Sequence, residues 1–367
     1  MQQDEPTIFF AGGGTGGHLF PNLAMLERLR QKRPSVRARL LVSERAIDAR
    51  ILANVGEPFT AIAAQPLILR PGGLVRFARG YRAAKRQVAR LIRREKPAAM
   101  VATGGFVSGP AMAAAAKAGL PRALVNLDAV PGKANRLAVR HASAVFSAYE
   151  TPVLPRATHI GLPLRRSVVP EIDAGEAKTQ LGFDPERPLL LVTAGSQGGR
   201  SINRAMAALA HRPAVRQRMR QWQVLHLSGE ADRAEIEAAY REAEVVAKVL
   251  AFCDRMGLAW AAADLAVSRA GAGAVAEAWA TRVPAIFLPY PFHKDEHQRY
   301  NAEPLVRRGG AMLLIDRIEP DVNADAMTVP LADLLENEPR REAMRTAMLH
   351  QPPDGAEVVA NWLAERV

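Results

Sequence analysis

Short apolar runs alternate with stretches of helical periodicity along the first half of the chain. Four such runs predict buried strands, at 7–11, 37–43, 98–105 and 122–127. Apolar residues at helical spacing predict helices from about residue 21 to 31, along 70–96 and in 109–119. Strands that alternate with helices in this way predict a parallel sheet with helices on both faces.

The same pattern starts again in the second half of the chain. Residues 188–210 have the pattern of a strand, a glycine loop and a helix, and more strand segments follow. The two glycine loops begin at Gly12 and Gly195, half a chain apart, which indicates a duplication of whole domains. Because prolines interrupt the periodicity between the halves, we predict two similar α/β domains, 1–163 and 164–367, with a last helix that can pack back on the first domain.

Composition narrows the class of protein. The chain has 367 residues, 49% hydrophobic and 23% charged, which is typical of a globular protein with about two domains. No apolar run approaches the ~18 residues of a membrane span, and the N-terminus carries acids where a signal peptide carries positive charge. Cys253 is the single cysteine, which excludes an internal disulfide and a thiolate metal cluster. We therefore expect a cytoplasmic protein without redox chemistry.

Positive charge is concentrated in one predicted helix. The formal net charge is +12, and residues 70–96 contain ten Lys or Arg and a single acid, Glu95. An apolar stripe follows the same segment at spacings of three and four: Leu74, Phe77, Tyr81, Ala84, Val88 and Leu91. A basic amphipathic helix of this kind is typical of a membrane-surface anchor, although a helix that packs on a sheet needs the same stripe. Nucleic-acid binding is disfavoured, because the aromatic residues follow the stripe and do not interleave with the arginines.

The glycine loop at 12–17 predicts an anion-binding site. Glycines after a strand let backbone N–H groups approach a ligand where a Cβ would collide. Gly12, Gly14 and Gly17 satisfy G-x-G-x-x-G and Glu44 ends the second strand, so a dinucleotide dehydrogenase is one interpretation. The second glycine loop argues against it. His18 follows the loop directly, where a proton acceptor would be useful.

Six ordered blocks together resemble the MurG family of lipid-linked N-acetylglucosaminyltransferases, which belongs to glycosyltransferase family 28. The blocks are GGGTGGHLFPNLAM, GGFVSGP, GLPLR, AGSQGGRSIN, SRAGAGAVAE and PYPFHKDEHQRYNA. They cover the chain from residue 9 to about 315. This resemblance implies a GT-B fold, in which two Rossmann-like domains with parallel sheets face each other across a deep cleft.

The resemblance also implies a donor site for UDP-N-acetylglucosamine. Amides around 196–198 would hold the diphosphate at a helix N-terminus, and Glu277 would hold the ribose hydroxyls. Phe252 and Cys253 match the segment around the uracil, and Arg165 matches an arginine beside the nucleotide. The full set implied for the donor is Thr15, Gly16, Gly17, Asp128, Arg165, Ser196, Gln197, Gly198, Phe252, Cys253, Ala272, Glu277, His297 and Gln298.

On the acceptor side the resemblance implies a diphosphate site, a base and a membrane contact. His18 would be the base, with Asp128 as a possible second catalytic group. The residues implied for the acceptor diphosphate are Gly13, Gly14, Thr15, Gly104 and Gly105. The residues expected at the membrane are Leu74, Phe77, Arg79, Tyr81, Arg82 and Arg86.

The sequence departs from the family at two places. In VNLDAVPGKAN, Asn126 replaces the usual Glu and Asp128 replaces the Asn that faces the sugar. A carboxylate at Asp128 could serve as sugar ligand or as base. His297 stands where the family carries the first Gln of a Gln-Gln pair, so the selectivity for the sugar is less secure.

The implied reaction is inverting transfer of N-acetylglucosamine to the C4 hydroxyl of lipid I, which forms lipid II for peptidoglycan. The chain has no Asp-x-Asp pair, so we expect amides and helix dipoles to neutralise the diphosphate, with no metal and no cofactor. The expected partners are the nucleotide sugar, a polyprenyl-diphosphate acceptor and an anionic membrane, which puts the enzyme on the cytoplasmic face of the cell membrane. Two alternatives stay open: a GT-B enzyme with another lipid acceptor, and an inactive nucleotide-sugar binder.

Overall fold

The computed structural model describes residues 5–14, 16–53, 55–65, 71–154, 156–195 and 199–367. The chain divides into two compact units. The first unit contains Met1–Arg165 together with Pro352–Val367, and the second contains Arg166–Gln351. The last segment of the chain therefore belongs to the first unit.

A seven-stranded parallel sheet forms the centre of the first unit. Its strands are β1 (Thr7–Ala11), β2 (Arg37–Ser43), β3 (Phe59–Ile62), β4 (Ala99–Ala102), β5 (Arg122–Asn126), β6 (Ala144–Ser147) and β7 (Thr158–His159). They lie in the order β3-β2-β1-β4-β5-β6-β7, and every pair is parallel. The central strands β1, β4 and β5 are buried and mostly apolar on both faces, since helices cover both faces of the sheet.

Helices pack on the two faces of this sheet. They are α1 (Gly16–Lys32), α2 (Ala46–Ala53), α3 (Pro71–Glu95), α4 (Ser108–Lys117), α5 (Lys133–Ala138) and α15 (Gly355–Ala364), with a 3₁₀ turn at Val139–His141. Strand β1 shows how the core divides: Ile8 and Phe10 pack with α1 and α15, whereas Phe9 and Ala11 pack with α3 and α4. The alternation follows from the period of two along a strand.

The second unit has a six-stranded parallel sheet. Its strands are β8 (Leu189–Thr193), β9 (Gln223–Leu227), β10 (Val246–Leu250), β11 (Leu265–Ser268), β12 (Ala285–Phe287) and β13 (Ala311–Leu313), in the order β10-β9-β8-β11-β12-β13. Its helices are α6 (Ala174–Gln180), α7 (Arg200–His211), α8 (Pro213–Met219), α9 (Arg233–Glu242), α10 (Met256–Ala262), α11 (Ala272–Thr281), α12 (His297–Arg307), α13 (Pro320–Glu336) and α14 (Glu338–Ala347), with a 3₁₀ turn at Arg166–Val168. The prediction of two α/β units with parallel sheets is confirmed.

The first helix starts earlier than its sequence suggests. Proline is favoured in the first turn of a helix, which predicts a start near residue 21. In the structure α1 begins at Gly16 and contains Pro21, so the predicted start is wrong. The side chain of Thr103 donates to the carbonyl of His18 within the first turn, at 2.8 Å. Thr103 directly follows β4, and its hydrogen bond stabilises the first turn of α1. The glycines and the proline of this turn would by themselves disfavour a helix.

The basic helix α3 has two different halves. Ala84, Val88 and Leu91 are buried against the sheet, as a sheet-packing helix requires. Toward the N-terminus Phe77 and Tyr81 are half-buried, and Leu74 and Val75 are exposed, with 46% and 54% of their surfaces accessible. The single stripe seen in the sequence is therefore buried in the core along one half of the helix and becomes increasingly exposed along the other.

Each sheet reverses its strand order at one point. In the first unit β1 lies between β2 and β4, and in the second unit β8 lies between β9 and β11. Ligands of open parallel sheets bind at such points, beside the carboxyl ends of the strands. The loops that begin at Gly12 and Gly195 follow β1 and β8, so each glycine loop lies at its unit's point of reversal.

Candidate active site

A buried carboxylate holds the first glycine loop. Asp48, on α2, is fully buried and accepts hydrogen bonds from the N–H of Gly14 at 2.7 and 2.8 Å. The same carboxylate accepts from the backbone N–H and the hydroxyl of Ser43, at 3.0 and 2.5 Å. Gly13 leaves no room for a side chain, because a Cβ there would lie 2.5 Å from Asp48 Oδ2. The loop's shape is thus fixed from inside the protein.

Two of the amides in the predicted acceptor-diphosphate site have partners within the protein. The N–H of Gly14, expected to face an acceptor diphosphate, donates to Asp48. The N–H of Gly104, expected in the same role, donates to Ser108 Oγ at 3.0 Å. Buried N–H groups need partners, and here the protein supplies them itself. Thr15 lies outside the described residues.

The glycines at the end of β4 allow close packing of two loops. Gly104 and Gly105 have φ of +128° and +74°, a region that favours glycine. A Cβ on Gly104 would lie 2.7 Å from the ring of His18, and one on Gly105 would lie 2.6 Å from the carbonyl oxygen of Gly13. These two glycines therefore bring the β4 loop against the β1 loop and the histidine ring.

His18 lies in the first turn of α1, half-buried beside both loops. Burial lowers its pKa from the ordinary histidine value, and the negative charges of Asp128 and Asp48 oppose that shift. A histidine with a lowered pKa is neutral near pH 7 and can accept a proton. The nearby carboxylates would then stabilise the imidazolium that forms.

Asn126, which stands where the family has Glu, belongs to a buried amide network at the end of β5. Its Nδ2 donates to Ser147 Oγ at 3.0 Å and to the carbonyl of Asp128 at 2.7 Å. Its Oδ1 accepts from Asn135 Nδ2 at 3.0 Å. Asn126 is fully buried. Its side chain thus holds the loop that carries Asp128, and its donors and acceptor are all used within the protein.

Asp128 lies in that loop, half-buried. Its negative charge raises the pKa of His18 and contributes, after burial, to the raised pKa of Tyr149. The sequence predicts that His18 and Asp128, which are more than a hundred residues apart, belong to one site. The structure places both at the carboxyl edge of the first sheet, after β1 and after β5.

In the second unit, part of the predicted donor loop lies outside the described residues, namely Ser196, Gln197 and Gly198. The described residues on either side of these three lie close together. Gly195 has a φ of +92°, and a Cβ on Gly199 would lie 2.4 Å from the Cβ of Ala194. The two ends of the loop therefore approach each other before α7 begins at Arg200.

The next loop of this sheet starts helix α11. Gly271 caps the helix with an extended backbone, and Ala272 is its first residue. No atom within 4 Å would meet a Cβ on Gly271 or Gly273, so open space lies in front of this turn. Glu277, one turn further, accepts a hydrogen bond from the indole of the buried Trp260 at 2.7 Å. That bond orients the carboxylate that the sequence assigns to the ribose.

Sequence reasoning missed a buried ion pair between these loops. Arg269 Nη1 contacts Asp316 Oδ2 at 2.6 Å, and both side chains are almost wholly buried. Ser201, in the first turn of α7, donates to Asp316 Oδ2 at 2.6 Å and accepts from Arg269 Nη2 at 2.7 Å. Arg269 lies within the block SRAGAGAVAE, so the motif itself could have pointed to this arginine. Nothing in the sequence pattern points to Asp316.

His297 begins helix α12 within a cluster of aromatic and histidine rings. Its Nδ1 lies 2.8 Å from Asp295 Oδ1, and its ring lies 4.3 Å from that of His293. Burial alone would raise the pKa of Asp295, but the hydrogen bond and charge of His297 hold it below the ordinary value. Gln298 accepts from the backbone N–H of Tyr290 at 2.8 Å, which fixes the start of the same loop.

The other predicted donor residues have varied environments. Phe252 is 49% exposed and Cys253 is buried, both after strand β10. Burial raises the pKa of the Cys253 thiol, so it favours the uncharged form. Arg165 is the last residue of the first unit, where its guanidinium lies 4.7 Å from the ring centre of Phe20.

Two family models match the chain, one on each unit. The glycosyltransferase family 28 N-terminal domain matches residues 8–147, and the glycosyltransferase family 28 C-terminal domain matches residues 189–359. The chain is also similar to solved structures. One is the crystal structure of Acinetobacter baumannii MurG, at 25% identity and a TM-score of 0.74 over 98% of this chain and 99% of that one. That likeness agrees with a GT-B architecture.

Curated relatives match nearly the whole chain. A protein from a Nocardioides species is 36% identical over 355 residues, which is 95% of both chains. A protein from Leifsonia xyli is 39% identical over 330 residues, 88% of both chains. Both are named UDP-N-acetylglucosamine--N-acetylmuramyl-(pentapeptide) pyrophosphoryl-undecaprenol N-acetylglucosamine transferase.

Proposed function

The chain belongs to glycosyltransferase family 28, and on that premise we propose that it transfers N-acetylglucosamine from UDP-N-acetylglucosamine to lipid I. The acceptor is the C4 hydroxyl of N-acetylmuramyl-pentapeptide linked by a diphosphate to undecaprenol, and the product is lipid II. The observation that carries this proposal is the likeness to transferases of that name along nearly the full length of both chains.

His18 takes the proton in this reaction. The acceptor hydroxyl attacks the anomeric carbon on the face opposite UDP, its proton passes to His18, and UDP leaves with the negative charge. The lowered pKa of His18 supports this role, because the imidazole is neutral before reaction. Asp128 acts as an electrostatic partner that stabilises the imidazolium, since its charge already raises the pKa of His18.

The donor binds at the carboxyl edge of the second sheet. Amides of the loop at 195–199 and the first turn of α7 hold the diphosphate, because helix N-termini present unpaired N–H groups. Glu277, oriented by Trp260, accepts from the ribose hydroxyls. The sugar lies against the start of α12, where His297 and Gln298 offer polar groups to its hydroxyls.

The acceptor's diphosphate binds in front of the first turn of α1. Gly14 and Gly104 have used their amides internally, so the ligand groups are the amides that start α1 at Gly16 and Gly17. Arg45 adds a positive charge beside this turn, since its Nη1 lies 3.2 Å from the carbonyl oxygen of Gly14. A guanidinium suits a phosphate partner.

The first unit meets an anionic membrane through the N-terminal half of α3. A lipid-linked acceptor stays at the bilayer, so the enzyme must work at its surface. Leu74 and Val75 are exposed there, and the arginines of the same half face solvent. In the part of the chain that the structure describes, no helix combines the length and apolarity needed to cross a bilayer.

One assay tests the proposed reaction. Full-length protein is mixed with labelled UDP-N-acetylglucosamine and short-chain lipid I, and lipid II is measured. We expect product, and we expect His18→Ala to lower turnover by about 100-fold or more. His211→Ala, at an exposed histidine of α7, is the matched control and should keep full turnover. Nucleotide binding without lipid II formation by the parent chain would contradict the proposal and favour an inactive binder or another acceptor.

A further inference from the structure

Arg269 joins four loops at the carboxyl edge of the second sheet. It follows β11, and its Nη1 donates to the carbonyl oxygens of Leu288 and Pro289, at 2.9 and 3.2 Å, after β12. Its guanidinium lies 5.5 Å from the ring centre of Tyr290. Through Asp316 it also reaches the loop after β13. One side chain therefore contacts the loops that follow β11, β12 and β13.

The fourth loop is the one that precedes α7. Arg269 Nη2 donates to Ser201 Oγ at 2.7 Å, and Ser201 Oγ donates to Asp316 Oδ2 at 2.6 Å. A Cβ on Gly199, just before the helix, would lie 3.6 Å from Arg269 Nε. The first turn of α7 thus rests directly on the guanidinium and its carboxylate partner.

Asp316, like Arg269, has several hydrogen-bond partners within the protein. Its Oδ1 accepts from the N–H of Ile318 at 2.7 Å and from Asn323 Nδ2 at 2.8 Å. Burial would raise the pKa of Asp316, but hydrogen bonds from Ser201, Asn323 and Arg269 keep it below the ordinary value. The carboxylate therefore stays charged at neutral pH, and both members of the pair have further hydrogen bonds to the protein. Such a network fixes geometry more than it adds stability.

We propose that Arg269, with Asp316 and Ser201, is a positioning group that sets the diphosphate-binding amides of the α7 turn before the donor arrives. The inference rests on the proposed function, because it assigns the donor's diphosphate to that turn. Amides aimed in advance bind a charged group without the cost of ordering a loop. The described hydrogen bonds of Arg269 all go to protein groups. Arg269 therefore acts on the ligand indirectly, by positioning Ser201 in the α7 turn.

Comparing UDP with uridine tests this directly, because uridine lacks the diphosphate. Ser201→Ala removes the link to the α7 turn while it leaves the Arg269–Asp316 pair in place. We expect UDP affinity to fall about tenfold, or about 1.4 kcal/mol, in calorimetric titration of the full chain. Uridine affinity, measured by competition or by NMR, should stay within about twofold of the parent. In turnover, KM for the donor should rise by a similar factor with little change in kcat.

A matched control lies at the other end of the same strand. Asp264 immediately precedes β11, and Lys178 Nζ contacts its Oδ2 at 2.9 Å in another largely buried ion pair. Lys178→Met should lower the unfolding temperature without changing the affinity for UDP. This control separates a general loss of stability from a loss of diphosphate binding.

A second substitution tests the same inference in case Ser201→Ala has only a weak effect on UDP affinity. Arg269→Lys keeps the charge but loses the forked donors, so it should weaken UDP at least as much and again spare uridine. Unchanged UDP affinity in both variants would overturn the inference, as would an equal loss for UDP and uridine. A parent chain that binds neither ligand would overturn the proposed function itself and this inference with it.

Discussion

At the scale of single residues, Asn126 shows how a departure from a family pattern can be structural. The sequence suggests a missing acid and hence a doubt about catalysis. In the structure the Asn126 amide donates to Ser147 and to the Asp128 carbonyl and accepts from Asn135. A glutamate has no donor for the first two bonds at neutral pH. The asparagine therefore fits its own surroundings.

Restoring the family's acid should accordingly harm the protein. We expect Asn126→Glu to lower the free energy of unfolding by at least about 2 kcal/mol, because a buried charge replaces a satisfied amide. It should not raise turnover. Urea denaturation checks the stability, and Asn361→Glu on the exposed face of α15 is the control, with an expected change within about 0.5 kcal/mol. Higher turnover in Asn126→Glu would show that the acid is a catalytic group after all.

The pH profile of turnover depends on His18 and Asp128. Because burial lowers the pKa of His18, activity should fall with decreasing pH only below the ordinary histidine value of 6.5, where the imidazole becomes charged. Asp128→Asn removes a negative charge that favours the imidazolium, so the acid limb of kcat/KM should move to still lower pH. An Asp128→Asn protein that loses activity at every pH, with no shift of the limb, would instead identify Asp128 as the base.

At the scale of elements, α3 reconciles two interpretations that the sequence left open. The residues near its C-terminal end, Ala84, Val88 and Leu91, pack on the sheet. Tyr81 is intermediate: its hydroxyl donates to the carbonyl of Gly109 at 3.3 Å. Further toward the N-terminus Phe77 is half-buried, and Leu74 and Val75 are exposed. A helix longer than the sheet it covers has a free end, and here that end carries the exposed Arg76, Arg79 and Arg82.

Charge reversal along α3 should release the protein from membranes. We expect Arg79→Glu, Arg82→Glu and Arg86→Glu together to abolish flotation with anionic vesicles, since each arginine contributes about 1 kcal/mol near such a surface. The triple change Arg220→Glu, Arg233→Glu and Arg241→Glu alters net charge equally in the second unit and should leave flotation intact. Continued flotation of the α3 variant would remove the membrane role from this helix.

At the scale of the whole molecule, the chain ends in the unit where it began. Helix α15 packs on α1, and Val359, Ala360 and Leu363 are fully buried there. Arg28 of α1 contacts Asp354 at 3.0 Å, and Asp354 caps α15 through the N–H groups of its first turn. The first unit therefore depends on residues from both ends of the sequence.

Leu363→Ala should destabilise the first unit selectively. Large-to-small changes at buried leucines cost about 2–5 kcal/mol, and this one lies in the core shared by α1 and α15. Calorimetry should show one unfolding transition lowered, while UDP raises a second transition that the substitution leaves unchanged. Asn361→Ala, on the exposed side of the same helix, should alter neither. A drop in both transitions would indicate that the two units unfold together.

The sequence by itself determined the two parallel α/β units, the glycine loops after β1 and β8, and the set of motifs that carries the family likeness. These features are local, since strand and helix periods and turn residues act over a few positions. It did not determine which amides the protein uses for itself. Gly14 and Asp48 are 34 residues apart, and Arg269 and Asp316 are 47 apart.

Only the tertiary structure decided those pairings, the buried and free halves of α3, and the return of α15 to the first unit. Each depends on which surfaces meet once the sheets have formed. A hydrogen bond or a buried face is specified by both of its partners, and a pattern along one segment contains only one of them.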